Sequence, residues 1–140
     1  MKVILPIFVV SYETDYGGVV SNTRYLEYLE RGRYAIFQAA GFKMEEVIAT
    51  HGVQFVVRKV EMEYLRPARH EDELELEIRI AAHTRTSTIL NFELRRKGEN
   101  TPLLRASQTL AYINNNWRAT RVPQIFLDAF PVESQSTTNS

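Results

Sequence analysis

The chain has 140 residues, 44% of them hydrophobic, which suits a single domain with a sizeable core. Seventeen basic residues balance seventeen acidic ones for a formal net charge of +0, so composition points to neither a nucleic acid nor a membrane surface as partner. The absence of cysteine excludes disulfides and thiolate catalysis and agrees with a cytoplasmic setting.

The opening MKVILPIFVV carries a lysine and an apolar run. That run is too short to span a bilayer, and SYETD stands where a cleavage site would need small residues. Val3 to Tyr12 therefore reads as a strand, and Pro6, which cannot donate to a ladder, suits a sheet edge. Asp15 follows in a loop with Gly17 and Gly18, which let the chain double back at little steric cost. A long amphipathic helix then runs to Ala40. Tyr25, Leu29, Gly32, Ile36 and Ala39 form its buried stripe, Arg24, Glu27, Arg31 and Gln38 lie elsewhere on the wheel, and Gly41 stops it. Lys43 to Thr50 predicts a short second helix ending near Gly52.

From there the hydrophobic period changes to two. Val53 to Leu65 is a long strand in which Val60, Met62 and Tyr64 alternate with Lys59, Glu61 and Glu63. Arg66-Pro67-Ala68-Arg69 turns into ELELEIRI, where Leu74, Leu76, Ile78 and Ile80 mark the clearest half-buried strand. Leu90, Phe92 and Leu94 mark the next strand, Lys97-Gly98-Glu99-Asn100 its turn, and Leu103 to Ile113 the last strand, closed by Asn114-Asn115-Asn116. Val132 to Ser140 is Ser/Thr-rich and is expected to be a disordered tail behind a domain of residues 1–131. This order of elements is α+β. One helix cannot cover both faces of so large a sheet, so an antiparallel sheet curled around the long helix, paired edge to edge with a second copy, is expected.

Asp15 has two readings on spacing alone. Asp in a glycine loop is often only a turn residue or cap, while an acid facing the unpaired N–H groups of a helix start makes an acyl-transfer site. Tyr12 and Tyr16 are expected in the core before an acyl pocket, and Glu13 is expected to be solvated. Ser21 and Asn22 are good helix N-caps. His51, His70 and His83 are too scattered for a metal motif, and each is expected on a turn or strand surface. Gly17-Gly18 lacks the Gly-Lys-Ser/Thr of a phosphate loop, and no G-x-S-x-G elbow occurs. The arginines of the strand half should mostly pair with glutamates, with a few near the acid loop free for a polyanionic ligand.

Tyr12-Glu13-Thr14-Asp15-Tyr16-Gly17-Gly18-Val19-Val20, then Tyr25-Leu26-Glu27 and Glu30-Arg31-Gly32-Arg33, resemble the hotdog-fold acyl-CoA thioesterases. The branch is that of 4-hydroxybenzoyl-CoA thioesterase and the bacterial proteins associated with the Tol–Pal gene cluster. Phe55-Val56-Val57-Arg58-Lys59, Glu63-Tyr64 and Pro67-Ala68-Arg69 resemble the second group closely, and the likeness covers roughly residues 5 to 115. The resemblance implies thioester hydrolysis, with the acyl group carried by coenzyme A or by an acyl carrier protein, and no metal or redox cofactor. It implies Asp15 as nucleophile or general base, and backbone N–H groups near Asn22 and Thr23 as the polarising element. It also implies that Arg85, Thr86, Ser87 and Lys59 contact the nucleotide end, and that the working unit is a homodimer or homotetramer. Many relatives carry Tyr-His where this chain has Ser21-Asn22, which counts against a histidine-assisted mechanism and leaves Asp15 and the backbone donors in place. Two rivals stay open: a non-catalytic acyl-thioester binding module, and a hydratase or dehydratase, which would need a His that the acid loop and helix lack.

Overall fold

Strict alternation builds the centre of the sheet. Leu74, Leu76, Ile78 and Ile80 are buried along β3, Glu73–His83, and Leu90, Phe92 and Leu94 along β4, Ser87–Arg96. The computed structural model describes residues 1–52 and 54–132, so Val53 and most of the expected tail, residues 133–140, lie outside the described residues. Three further strands complete the sheet: β1, Lys2–Phe8; β2, Gln54–Tyr64; and β5, Pro102–Ile113. All pairings are antiparallel, and the order is β1-β3-β4-β5-β2. Pro6 accordingly lies on an edge strand, opposite Glu75. The expected first strand is shorter than its apolar run: it stops at Phe8, and Ser11–Glu13 closes into one 3-10 turn.

Helix α1, Asn22–Ala39, packs on the apolar face of the sheet and buries Tyr25, Tyr28, Leu29, Gly32, Ile36 and Phe37. Ala39, expected in that stripe, is exposed, because the helix is already ending there. The Phe42 N–H bonds to the Phe37 carbonyl at 3.0 Å and the Gly41 N–H to that of Gln38 at 2.9 Å, a reciprocal C-terminal closure that needs the φ of 88° at Gly41. Helix α2, Met44–His51, ends at Gly52 with φ 63°. A five-stranded sheet wrapped on one face by one long helix is the hotdog arrangement. The outer face is polar. Arg79 and Arg95 pair with Glu77, and Arg95 and Arg105 with Glu93, as expected for the arginines of the strand half.

The sequence predicts no element after Asn116, yet that stretch forms helix α3, Gln124–Ala129. Its Phe126, with Phe130 just beyond, joins Phe37, Phe42, Phe55 and Tyr112 in an aromatic cluster whose contacting rings lie 4.9–6.4 Å apart. His83 is half-buried rather than a plain surface residue. Its Nδ1 lies 2.9 Å from Thr88 Oγ1 and its Nε2 2.8 Å from the Phe130 carbonyl, so it fastens the C-terminal segment to the sheet. His51 and His70 are exposed, as expected.

Candidate active site

The acid loop is a narrow ribbon. The Ser21 N–H bonds to the Glu13 carbonyl at 3.0 Å, Thr14 bridges Val20, and the Asp15 N–H bonds to the Val19 carbonyl at 2.9 Å. A tight turn with a Gly18 N–H bond to the Asp15 carbonyl closes the tip, where φ reaches 95° at Gly17 and 75° at Gly18. Side chains rarely adopt such angles, which is why two glycines stand there. The ribbon is fixed to the sheet side as well. The Val20 N–H bonds to the Ala68 carbonyl and the His70 N–H to that of Gly18, and the Ala68 N–H bonds to the Tyr25 hydroxyl on α1.

One strand of the ribbon carries Asp15, and the other runs directly into α1. The Asp15 carboxylate is exposed and has no hydrogen-bond or ionic partner among the described residues. At the helix start, the Arg24 N–H bonds to the Ser21 carbonyl, while the N–H groups of Asn22 and Thr23 have no acceptor among the described residues. An anionic oxygen is stabilised at such a place by the unpaired donors and the helix dipole. The expected side-chain caps are not made. Ser21 is the N-cap but forms no side-chain cap bond, and Asn22 is already the first helical residue.

Tyr12 and Tyr16 are not in the core: they are 72% and 102% exposed, and Tyr12 lies against the Arg24 guanidinium. Glu13 reverses its expectation too. It is 6% exposed, and its Oε1 accepts from the Tyr28 hydroxyl at 2.9 Å and the Val10 N–H at 3.1 Å. An acid two residues from another acid looks solvated in sequence. The only sign to the contrary is Tyr28, whose place beside the Tyr25–Leu29 stripe puts a hydroxyl inside the fold.

Arg85 and Thr86 lie in the turn between β3 and β4 and Ser87 opens β4, at the opposite end of β3 from the acid loop. The 11 residues of β3 separate the two ends by about 33 Å. Ser87 is buried with its hydroxyl on Thr84, while Arg85 is exposed. Lys59 stands exposed on β2, 3.3 Å from Glu61. Within one chain, then, Asp15 and the Asn22–Thr23 start of α1 belong to the two strands of one ribbon, whereas Arg85, Thr86, Ser87 and Lys59 lie on other elements. Asp15 also borders neither of two hollows on the surface of the described residues. One, about 550 Å³, lies on the polar sheet face along Glu61, Glu77, Arg79, Glu93 and Arg105. The other, about 440 Å³, lies at the end of α1 beside Tyr34, Phe37, Phe42 and Met44. Among the described residues no group of three His, Cys, Asp or Glu is gathered as metal ligands would be. No helix among the described residues is long and apolar enough to cross a membrane.

An acyl-acyl carrier protein thioesterase, ATL3, of Arabidopsis thaliana is 26% identical over 119 residues, covering 85% of this chain. The acyl-CoA thioester hydrolase YbgC of Escherichia coli O6:H1 is 37% identical over 84 residues, 60% of this chain. In each comparison the match spans 62% of the relative's own length. The structure of a probable thioesterase from Bartonella henselae superposes with a TM-score of 0.80 at 28% identity, covering 88% of this chain and 100% of that one. The sequence pattern of the thioesterase-like superfamily matches residues 9–130, from the end of β1 to the last ring of the aromatic cluster. With nearly the whole described fold inside that match, the chain belongs to the thioesterase-like superfamily.

Proposed function

We propose that this protein hydrolyses an acyl thioester, of coenzyme A or of an acyl carrier, to free acid and thiol. The observation that carries the reading is the ribbon geometry: an unpartnered carboxylate at a glycine turn, on a ribbon whose other strand ends in two unpaired helix-start N–H groups. The thioester oxygen would lie on the Asn22 and Thr23 N–H groups. Such a donor is worth on the order of 10²–10³ in rate when aimed at a developing oxyanion. As general base, Asp15 takes a proton from water while the hydroxide adds to the carbonyl carbon; the tetrahedral intermediate then expels the thiolate, which recovers that proton. As nucleophile, Asp15 forms an acyl anhydride with loss of thiolate, and water then cleaves it. Neither route calls for a metal or redox cofactor. The resemblance of Phe55–Lys59 and Pro67–Arg69 to the Tol–Pal-associated proteins supports placing the chain near that group.

The working unit in this reading is at least a homodimer joined along β2. That strand is an open edge of 11 residues without the proline that blunts β1, and Val57 and Tyr64 on it are exposed. Ring contacts set the start of α1 beside Tyr64 and its end beside Phe55. Antiparallel pairing of β2 with its copy would therefore set the Asp15 end of one chain beside the Arg85–Ser87 end of the other. A coenzyme A lying across that junction would meet the Arg85 turn of the partner subunit.

Thiol release from short, long and aromatic acyl-CoAs, by the protein and by Asp15→Asn, tests the reading. The substitution keeps the shape of the loop and removes its charge, so single-turnover hydrolysis should fall by at least about 10² while ligand affinity holds. Near-wild-type hydrolysis by Asp15→Asn would sink it. For the assembly, sedimentation should give at least twice the 16.2 kDa chain mass. A fully active species of the single-chain mass would refute the shared site.

A further inference from the structure

We infer that Glu13 is a positioning residue for Asp15: its buried carboxylate holds the acid loop in register with the start of α1. The inference rests on the hydrolytic role proposed for Asp15. Removing a carboxylate from water is costly unless its oxygens find donors, and an apolar side chain could fill the same volume without that cost. Here the cost is met by two donors drawn from different parts of the chain. The Tyr28 hydroxyl comes from the second turn of α1, and the Val10 N–H from the segment leaving β1. The main chain of Glu13 makes a third tie, its carbonyl accepting from the Ser21 N–H just ahead of the helix.

One residue thus joins three segments: the exit of β1, the ribbon bearing Asp15, and α1. Two residues on, the Asp15 side chain has no partner among the described residues to orient it, so its direction is inherited from the ribbon. Tyr28 is 0% exposed, and burial followed by the Glu13 contact holds its phenol protonated well above the usual range. The hydroxyl therefore remains a donor to Glu13 at any working pH. Misplacement of a reacting group by about 1 Å can cost 10²-fold in rate, so a tie of this kind would be read in kcat.

The test is a set of variants assayed for thiol release from an acyl-CoA that the protein hydrolyses, alongside amide hydrogen exchange. Tyr28→Phe deletes the one hydroxyl and should lower kcat about tenfold or more, with KM changed less than about threefold. Glu13→Ala should do the same. Glu13→Gln keeps an oxygen for both donors and should retain most of the turnover rate. In an Asp15→Asn background Tyr28→Phe should add no further loss. The Asp15 and Ser21 amides of Tyr28→Phe should exchange faster, with those of β4 unchanged. Wild-type turnover in both Tyr28→Phe and Glu13→Ala overturns the inference while leaving the role of Asp15 standing. So does an equal loss from Tyr28→Phe with and without Asp15, which would mark a general structural effect. Glu13→Gln as inactive as Glu13→Ala, with an unchanged melt, overturns it in favour of the charge itself. Wild-type hydrolysis by Asp15→Asn alone removes the proposed function and this inference together.

Discussion

Gly32 on α1 lies so close to Leu76 on β3 that a Cβ placed on it would sit 2.8 Å from Leu76 Cδ2, and 2.9 Å from Ile78 Cγ1. Both neighbours are fully buried, so neither has free space to retreat into. Gly32→Ala sets two effects against each other. Helix propensity favours Ala by about 1 kcal/mol, and overpacking a tight core costs typically about 1–3 kcal/mol. Packing should win, and urea melts should show a net loss on the order of 1 kcal/mol. A gain in stability would mean that the helix can lift off the sheet.

The absence of a side-chain cap at α1 changes what Asn22 is expected to do. Asn22 is the first helical residue, and its amide holds nothing in place. Asn22→Ala should shift stability by less than about 0.5 kcal/mol, as surface substitutions usually do. It keeps the backbone N–H, so hydrolysis should change little. If turnover instead dropped roughly 10²–10³-fold, the size expected for a lost oxyanion donor, the side chain would have a part in the reaction.

Glu77 gives the fold an acid-sensitive element. Burial pushes its carboxyl upward, but the Arg79 hydrogen bond and charge, together with Arg95, outweigh this and leave it below the ordinary 4.5. A group depressed in the folded state contributes stability above its unfolded value and loses it as pH falls through the folded one. The melting temperature should therefore drop as pH is lowered below about 4.5, and Glu77→Gln should flatten that drop. An unchanged acid limb in Glu77→Gln would assign the drop to other carboxylates.

Thr88 sits between a phenol and an imidazole. Its Oγ1 lies 2.8 Å from the Tyr112 hydroxyl and 2.9 Å from His83 Nδ1. Burial pushes the Tyr112 phenol up to about 12, so it keeps its proton and needs an acceptor. Thr88→Val should cost about 1–3 kcal/mol, the usual penalty for an orphaned buried polar group. Adding Tyr112→Phe should recover part of it, since an apolar pair leaves less unsatisfied. Equal denaturant midpoints for the single and double variants would rule out the hydroxyl as the source.

The parts of the fold that repeat were legible in the sequence. The two-residue period of Leu74 to Ile80 and the helical spacing of Tyr25, Leu29 and Ile36 each name a buried face, and Pro6 names an edge. Glycines at 17, 18, 41 and 52 marked turns that do take positive φ. The failures share a cause: a local pattern does not say what lies across the fold. Glu13 is solvated by every local rule, yet Tyr28, 15 positions away, meets it inside. Phe126 and Phe130 sit in or just after a short helix without strong periodicity, and only the rings of Phe37, Phe42 and Tyr112 explain their burial. Of the candidate site, Asp15 and the helix start were visible as neighbours along the chain. The separation of Arg85 from them became visible only once β3 had a direction.

The aromatic cluster makes the C-terminal segment a stopper for the end of the domain remote from Asp15. Residues 114–123 lead to it largely as exposed chain, the kind of stretch a protease cuts. Loss of everything beyond such a cut would strip Phe126 and Phe130 from Phe37, Phe42 and Tyr112 and uncover a patch of bare rings. A trimmed chain would keep every residue of the acid loop and still leave solution, because exposed apolar patches of this kind drive self-association.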